Sequence, residues 1–137
     1  NLYSYPLYQN RALFKRGVSF ISYTAGDRGN DAVWEISDGK FYLVEITGLF
    51  QIQPPGTKIK ITEDAIPATL YSVFGPVRDR IPATWYTGNL LIKERDDFKA
   101  SEDLKHIVVP VKKGICEDRS IVSDKEFDKL YWANVRY

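Results

Sequence analysis

The chain of 137 residues contains no methionine, one cysteine (Cys116) and one histidine (His106). A single cysteine excludes an intrachain disulfide, so the fold must rest on its hydrophobic core. A structural zinc site needs four nitrogen or sulfur ligands, which these two residues cannot supply alone. The sequence also lacks a glycine-rich phosphate-binding loop. It therefore predicts no metal ion and no cofactor.

Neither sign of charge is in excess, because 19 basic residues balance 18 acidic ones and leave a net charge of +1. This balance gives no global field to hold a nucleic acid or an anionic membrane. No apolar run approaches the roughly 18 residues that cross a bilayer, so no transmembrane segment is expected. Because methionine is absent, we expect that residue 1 follows a processed or trimmed N-terminus. The compartment of a soluble protein stays open between the cytoplasm and export after removal of an N-terminal segment.

Aromatic residues, by contrast, are abundant at 14% of the chain, and hydrophobic residues make up 44%. Aromatic side chains suit the half-buried surface of a pleated sheet, which favours β structure. A length of 137 residues suits one domain with a sizeable core. The sequence therefore predicts a single β-rich domain over residues 1–137. Its oligomeric state stays open.

The clearest local signal is a β-hairpin within Ala32–Ile46. Its centre is Asp38–Gly39, a dipeptide that tolerates the positive φ angles of a type I′ turn. A two-residue loop at this point fixes the register and places alternate residues on opposite faces. We expect one buried face made of four apolar side chains: Trp34, Ile36, Phe41 and Leu43.

Period-two alternation and turn residues predict four more strands: Val18–Thr24, Thr57–Thr62, Asn89–Lys93 and Ile107–Lys112. The first two of them would form a four-stranded antiparallel meander with the hairpin. Pro110 cannot donate a ladder hydrogen bond, which predicts that the last strand is an edge strand. The first seventeen residues have no clean period and are expected to form a loosely extended lead-in.

A short internal echo lies between these strands, since the hexapeptide Ile66–Tyr71 recurs with one change as Ile81–Tyr86. Six positions are too few for a solenoid repeat. Either two similar proline-led strand entries or chance would explain the echo.

The end of the chain predicts a helix from Asp124 to Ala133. Ser123 and Glu126 have the spacing of a capping box, and apolar residues follow at intervals of three and four. Strands followed by a final helix, without βαβ alternation, define the fold class. It is mostly β (α+β): an antiparallel meander, curled sheet, or small barrel or sandwich of about six strands with a short C-terminal helix.

Catalysis would depend on Cys116 as a nucleophile activated by His106. No recognisable motif surrounds either residue, and a free cysteine is most often a small buried hydrophobe. We therefore predict that neither residue is catalytic, and that the protein is not an enzyme.

Binding is better supported, by a segment that concentrates the residue types of interface hot spots. The predicted binding residues lie within nine positions: Arg78, Arg80, Trp85 and Tyr86. The structural alternative is that Trp85 fills the core while both arginines are solvated in a loop.

Two motifs carry a resemblance. Trp34–Leu43 and Ala83–Ile92 resemble small bacterial β-rich proteins with a W-E-I-x-D-G-K-L-Y-L hairpin followed by an A-x-W-F/Y-S/T-G-x-L-x-I segment. The likeness covers residues 18–93 and implies a bacterial source and a β-rich fold. It implies no activity and no catalytic residue.

The favoured function is a non-enzymatic binding protein with a protein partner, and an immunity-type protein of a bacterial toxin system is one form of it. One alternative is a small-ligand binder or enzyme with an aromatic-lined pocket. Another alternative is an envelope-associated structural domain.

Overall fold

A computed structural model of the protein describes residues 2, 4–20, 30–52, 65–76, 79–93 and 105–135. They group into a central unit, Asn10–Ala83, and a terminal unit, which joins Asn1–Gln9 to Thr84–Tyr137. The described chain is mostly β, with antiparallel strand pairs and a short C-terminal helix, which confirms the predicted fold class. The predicted strand Thr57–Thr62 lies outside the described residues. The single domain stays a prediction.

Helical turns occupy most of the predicted lead-in. A 3₁₀ helix spans Pro6–Gln9, and helix α1 spans Arg11–Lys15. Asn10 caps α1, because its side-chain oxygen accepts a hydrogen bond from the Leu13 N–H at 3.1 Å. The prediction of an extended lead-in was therefore wrong. Two local signals outweighed the missing periodicity: a proline at the first helical position and an asparagine cap.

Strand β1 (Val18–Phe20) follows, and β2 (Asn30–Ser37) and β3 (Lys40–Ile52) form the predicted hairpin. The remainder of the predicted strand Val18–Thr24 lies outside the described residues. The hairpin register is confirmed in the pairs Trp34–Leu43 and Ile36–Phe41. Both loop residues have positive φ, 51° at Asp38 and 71° at Gly39, as a type I′ turn requires.

The expected buried face of the hairpin is correct except at its tip. Phe41 and Leu43 are buried, and Trp34 is half-buried with its ring stacked on Phe41 at 4.9 Å. Ile36 is 45% exposed, so its predicted burial was wrong. It lies two residues before the solvent-exposed loop, at the end of the hairpin that is farthest from the core.

A β-bulge changes the alternation of β3. Trp34 pairs with Leu43, but Val33 pairs with Glu45, so Val44 is an extra residue on β3. Beyond the bulge, even-numbered residues take over the buried face, and Ile46 is buried as Leu43 is. The bulge therefore keeps one continuous core face, formed by odd-numbered residues before Val44 and by even-numbered residues after it.

Strand β3 is the common partner of the other strands in the central unit. Strand β1 pairs with its far end, and β4 (Ile66–Pro67) and β5 (Ile81–Pro82) also pair with it. A meander would instead pair β1 with β2, so the predicted order was wrong for β1. The reason is length: the pairing with β2 ends at Gly48, and β3 continues for four more residues, Leu49–Ile52, where β1 pairs.

The echoed hexapeptides make equivalent contacts with β3. After β4, the Ala68 N–H donates to the Gly48 carbonyl at 2.8 Å; after β5, the Ala83 N–H donates to the Phe41 carbonyl, also at 2.8 Å. Both alanines are buried. Each hexapeptide therefore begins with a two-residue strand that ends at its proline, instead of a strand that follows the proline. The paths then differ, because Thr69 caps helix α2 (Leu70–Phe74).

In the terminal unit, the two predicted strands are confirmed as β6 (Gly88–Lys93) and β7 (His106–Lys112). Two short strands follow, β8 (Ile115–Cys116) and β9 (Ser120–Val122). Strand β7 pairs with β6 from His106 to Val111 and also with both β8 and β9. The prediction that Pro110 marks an edge strand was therefore wrong. The proline is tolerated because it falls in the gap between the β8 and β9 ladders.

Helix α3 (Asp124–Val135) packs on β6 and β7. Phe127 is buried against Leu91 and Val108, which defines the core of this unit. Ser123 caps the helix, since its hydroxyl accepts a hydrogen bond from the Glu126 N–H at 3.2 Å. The predicted helix and its cap are confirmed. Within the described ranges, no helix is both long enough and apolar enough to span a bilayer.

The cap gives the first testable prediction. Ser123→Ala should lower the free energy of unfolding by about 1 kcal/mol, because the Glu126 N–H loses its acceptor. Urea denaturation would measure the change, with Ser120→Ala as an exposed serine control outside the cap. Equal stability of the two variants would contradict a capping role.

Candidate functional site

The predicted binding residues fall in different parts of the structure. Arg80 belongs to the central unit, whereas Trp85 and Tyr86 belong to the terminal unit. Arg78 lies outside the described residues.

Trp85 and Tyr86 make polar contacts within the chain. The Trp85 indole Nε1 donates a hydrogen bond to the Pro6 carbonyl at 2.9 Å. Tyr86 is only 3% exposed, and its hydroxyl donates to the Asn89 carbonyl at 3.0 Å. Burial raises the pKa of Tyr86, and a hydrogen bond with Ser4 opposes that rise. Both aromatic side chains therefore have structural roles in the terminal unit.

The N-terminal residues run beside this aromatic pair. Ser4 donates its hydroxyl to the Asn89 carbonyl at 2.9 Å and accepts from the Leu91 N–H at 3.0 Å. The Gln9 side chain bonds the Thr87 backbone through both its nitrogen and its oxygen, at 3.1 Å each. These contacts hold the start of the chain along β6.

Gly88 completes the aromatic segment. A Cβ at this position would lie 3.1 Å from the Tyr86 hydroxyl, and its φ of 154° is rarely adopted by other residues. The Trp-Tyr-Thr-Gly part of the motif is therefore explained by packing. The missing side chain of Gly88 leaves space for the hydroxyl of the buried Tyr86.

Arg80 is held on the exposed face of the hairpin. Its guanidinium carbon lies 3.8 Å from the centre of the Tyr42 ring, and its Nη1 lies 3.1 Å from the Glu35 Oε1. The sheet places these groups together, because Tyr42 lies directly between Glu35 on β2 and Pro82 on β5. A cation–π contact and a charged hydrogen bond thus orient one arginine.

The same face carries further exposed side chains, including Lys40 and Thr47 and a group of three centred on Val33. Alternation along β2 places Asp31 and Val33 on the side of Glu35, and Glu45 lies directly opposite Val33. Val33 is 51% exposed although it is aliphatic. We call this set the Arg80 surface: Asp31, Val33, Glu35, Tyr42, Glu45 and Arg80. It combines three carboxylates with one oriented cation and one apolar centre.

The sequence pointed to part of this surface. The hairpin register alone places Glu35 and Tyr42 on one side, and Arg80 was a predicted binding residue. Asp31, Val33 and Glu45 were missed. Val33 looks like any other apolar strand residue, so the sequence did not mark it as exposed. The position of Glu45 depends on the bulge.

His106 and Cys116 lie apart in the terminal unit. The His106 Nε2 lies 2.6 Å from the Asp124 Oδ1, and its ring packs edge-on against Phe127. Cys116 on β8 pairs with Val111 on β7. Val111 lies five residues from His106 along the strand, which corresponds to about 16 Å. This separation is far beyond the hydrogen-bond distance that a nucleophile and its base require. That neither residue is catalytic stays a prediction.

The thiol supplies a second testable prediction. Burial raises the pKa of the Cys116 thiol, so a smaller fraction is thiolate at neutral pH than in a free cysteine. Iodoacetamide should therefore alkylate the native protein more slowly than the urea-unfolded protein, and the native rate should rise with pH. Intact-protein mass spectrometry would follow the reaction. A native rate above that of glutathione would contradict the burial effect.

In the described part of the chain, no three His, Cys, Asp or Glu side chains lie together so that they could hold a metal ion. No protein family, curated protein or solved structure matches the sequence.

Proposed function

We propose that this protein is a non-enzymatic binding protein that recognises a protein partner through the Arg80 surface. The observation that carries the proposal is the arginine held between the Tyr42 ring and the Glu35 carboxylate. Arginine and tyrosine are prominent in interface hot spots. A side chain that is already oriented loses less conformational entropy when a partner binds.

The charge and exposure of this surface indicate what the partner supplies. Asp31 and Glu45 are exposed carboxylates close to Val33, which is itself exposed. A partner would satisfy them with lysine or arginine and cover Val33 with an apolar side chain. An immunity-type protein that binds a bacterial toxin is one concrete form of this proposal, in keeping with the resemblance to bacterial proteins.

The four binding residues predicted from the sequence contribute unequally to the proposal. Trp85 and Tyr86 donate their polar hydrogens within the chain, so we do not place them in the contact surface. Arg80 remains central to it. Arg78 stays a predicted contact.

The test is a binding measurement with matched variants. Proteins captured from a lysate of the source organism would be identified, and the specific one purified for titration. Arg80→Ala should weaken its binding by about tenfold or more, because a hot-spot side chain is lost. Stability should change by less than about 1 kcal/mol, since the ion pair with Glu35 is half-exposed.

Arg119→Ala serves as the control, because Arg119 is an exposed arginine of the terminal unit. It should bind the purified partner as tightly as the parent protein does. Unchanged binding by both Arg80→Ala and the Arg78/Arg80 double alanine variant would refute the proposal. Loss of an enzymatic activity in His106→Ala would refute its non-enzymatic part.

A further inference from the structure

The start of the chain forms a strap along the side of β6 that faces away from β7. We call residues 2 and 4–9 the strap. Leu2 and Ile92 form a single isolated antiparallel bridge. The other contacts with this strand come from side chains, because Ser4 bonds the backbone of β6 and Gln9 bonds the backbone just before it. Among the described residues, no β ladder joins the strap to β6, so few backbone hydrogen bonds must break to release it.

The docking of the strap is nevertheless specific. Its Pro6 and Leu7 side chains are buried, and so is Ser4. The Pro6 carbonyl accepts the hydrogen bond from the Trp85 indole. Buried apolar side chains supply affinity, and the hydrogen bonds fix the position of the segment. The strap therefore behaves as a peptide ligand that belongs to the same chain.

A one-residue connection follows the strap. The 3₁₀ helix ends at Gln9 and helix α1 begins at Arg11, so Asn10 alone separates two helical turns. The boundary between the terminal and central units also falls between Gln9 and Asn10. Asn10 has an extended backbone, with φ of −76° and ψ of 98°. A change in its ψ to the helical value would turn the strap away from its present direction.

The sequence allows that change. With Asn10 helical, the chain from Pro6 to Lys15 would form one continuous helix, because proline suits its first position and neither glycine nor another proline interrupts it. The Pro6 carbonyl would then accept from the Asn10 N–H. A carbonyl oxygen has two lone pairs, so it could still accept from a Trp85 indole. The continuous helix is therefore compatible with docking of the strap on another molecule.

We propose that Asn10 is a hinge through which the strap leaves its own β6 and docks on the β6 of a second copy of this chain. The second copy is the occupant with a demonstrated fit, since its strap has the same sequence as the one now bound. Each contact that a strap loses in its own chain is regained in the partner copy, which makes such an exchange a low-cost route to a dimer. Strap exchange does not depend on the Arg80 surface, which belongs to the central unit.

Substitution of the hinge is the first test. Asn10→Ala should strengthen dimerisation of the full chain at least about fivefold in sedimentation equilibrium. Alanine removes the cap that the separate α1 uses, and it favours the helical conformation of the released strap. Asn10→Ser retains a capping oxygen and should match the parent. Asn10→Gln lacks a short capping side chain and gives the same test if the alanine variant fails to fold.

A peptide of residues 1–9 tests the docking site. In excess, it should dissociate the Asn10→Ala dimer, because it fills β6 in both copies. The same peptide with Ser4→Ala and Gln9→Ala is the control. It should need at least about a tenfold higher concentration, since it lacks the polar contacts with β6 and Thr87. A dimer that persists at saturating peptide would lie at another interface and overturn strap exchange.

Hydrogen exchange tests the release of the strap in dilute, monomeric protein. The Leu91 N–H donates to Ser4, whereas alternation turns the Leu90 N–H towards β7. Asn10→Ala should therefore accelerate exchange at Leu91 and leave Leu90 at the parent rate. Equal acceleration at both amides would mean that the whole terminal unit opens, and the hinge would be wrong. Equal dimerisation of the parent, Asn10→Ala and Asn10→Gln would also contradict it.

Discussion

Leu43→Ala should lower the free energy of unfolding by about 2–5 kcal/mol, because it removes buried methyl groups and leaves a cavity. Leu43 is 0% exposed and is the fourth residue of β3, where it pairs with Trp34 on β2 and Ile81 on β5. Three strands fix its surroundings, so the site can collapse only partly around alanine. We therefore expect a loss in the upper half of this range.

Ile36→Ala is the matched control for this variant, since Ile36 lies on the same face of the same hairpin but is 45% exposed. It should cost less than about 1.5 kcal/mol, because far less surface returns to water. Chemical denaturation of both variants would give the comparison. A larger loss from Ile36→Ala than from Leu43→Ala would contradict the described core.

Phe127→Ala should cost about 3–5 kcal/mol in the terminal unit. Its ring is 1% exposed and packs against Leu91 and Val108, with the His106 ring edge-on at 5.0 Å. Lys93 Nζ also lies 5.3 Å from the ring centre. Truncation therefore removes apolar contacts, an aromatic pair and a cation–π contact together.

Trp132→Ala provides the control on the same helix, where the tryptophan is 62% exposed. Its cost should stay below about 1 kcal/mol, as for most exposed positions. Hydrogen exchange in Phe127→Ala and Leu43→Ala would also test the predicted single domain. If each variant loosens only its own unit, the two units unfold separately and that prediction is wrong.

The sequence predicted those elements whose signal is local. Asp38–Gly39 specified a turn, and Ser123 with Glu126 specified a helix start. The hairpin of β7 and β8 was not predicted. Its loop residues Lys113 and Gly114 have positive φ angles of 49° and 78°. Lysine rarely adopts positive φ. The loop is held by its surroundings, since the Lys113 N–H donates to the Thr87 hydroxyl at 3.0 Å.

The strand order was less predictable than the strands. Alternation shows which side chains share a face, but it does not say which strand is the neighbour. The pairing of β1 and β4 with β3 depends on how far β3 extends past its pairing with β2, whereas β5 pairs with residues of β3 that also pair with β2. The exception to the Pro110 rule likewise depends on where the β8 and β9 ladders end.

The candidate site was partly predictable for the same reason. Glu35 and Tyr42 follow from the hairpin register, whereas Arg80 lies 45 residues from Glu35 in the sequence. Residue type singled out Arg80, Trp85 and Tyr86 alike. Only their contacts separate an exposed arginine from a buried tyrosine and an indole that bonds the Pro6 carbonyl.

The bulge at Val44 determines where β3 tolerates a change in length. Deleting an ordinary residue from the first part of the strand inverts every side chain beyond it, which would expose Ile46 and Phe50 and turn Glu45 towards the core. Val44 is already surplus to the pairing with β2, so its loss leaves Leu43, Glu45 and Ile46 on their present sides. Natural or engineered variants that shorten this strand should therefore do so at Val44. Such variants would keep both the core and the Arg80 surface intact.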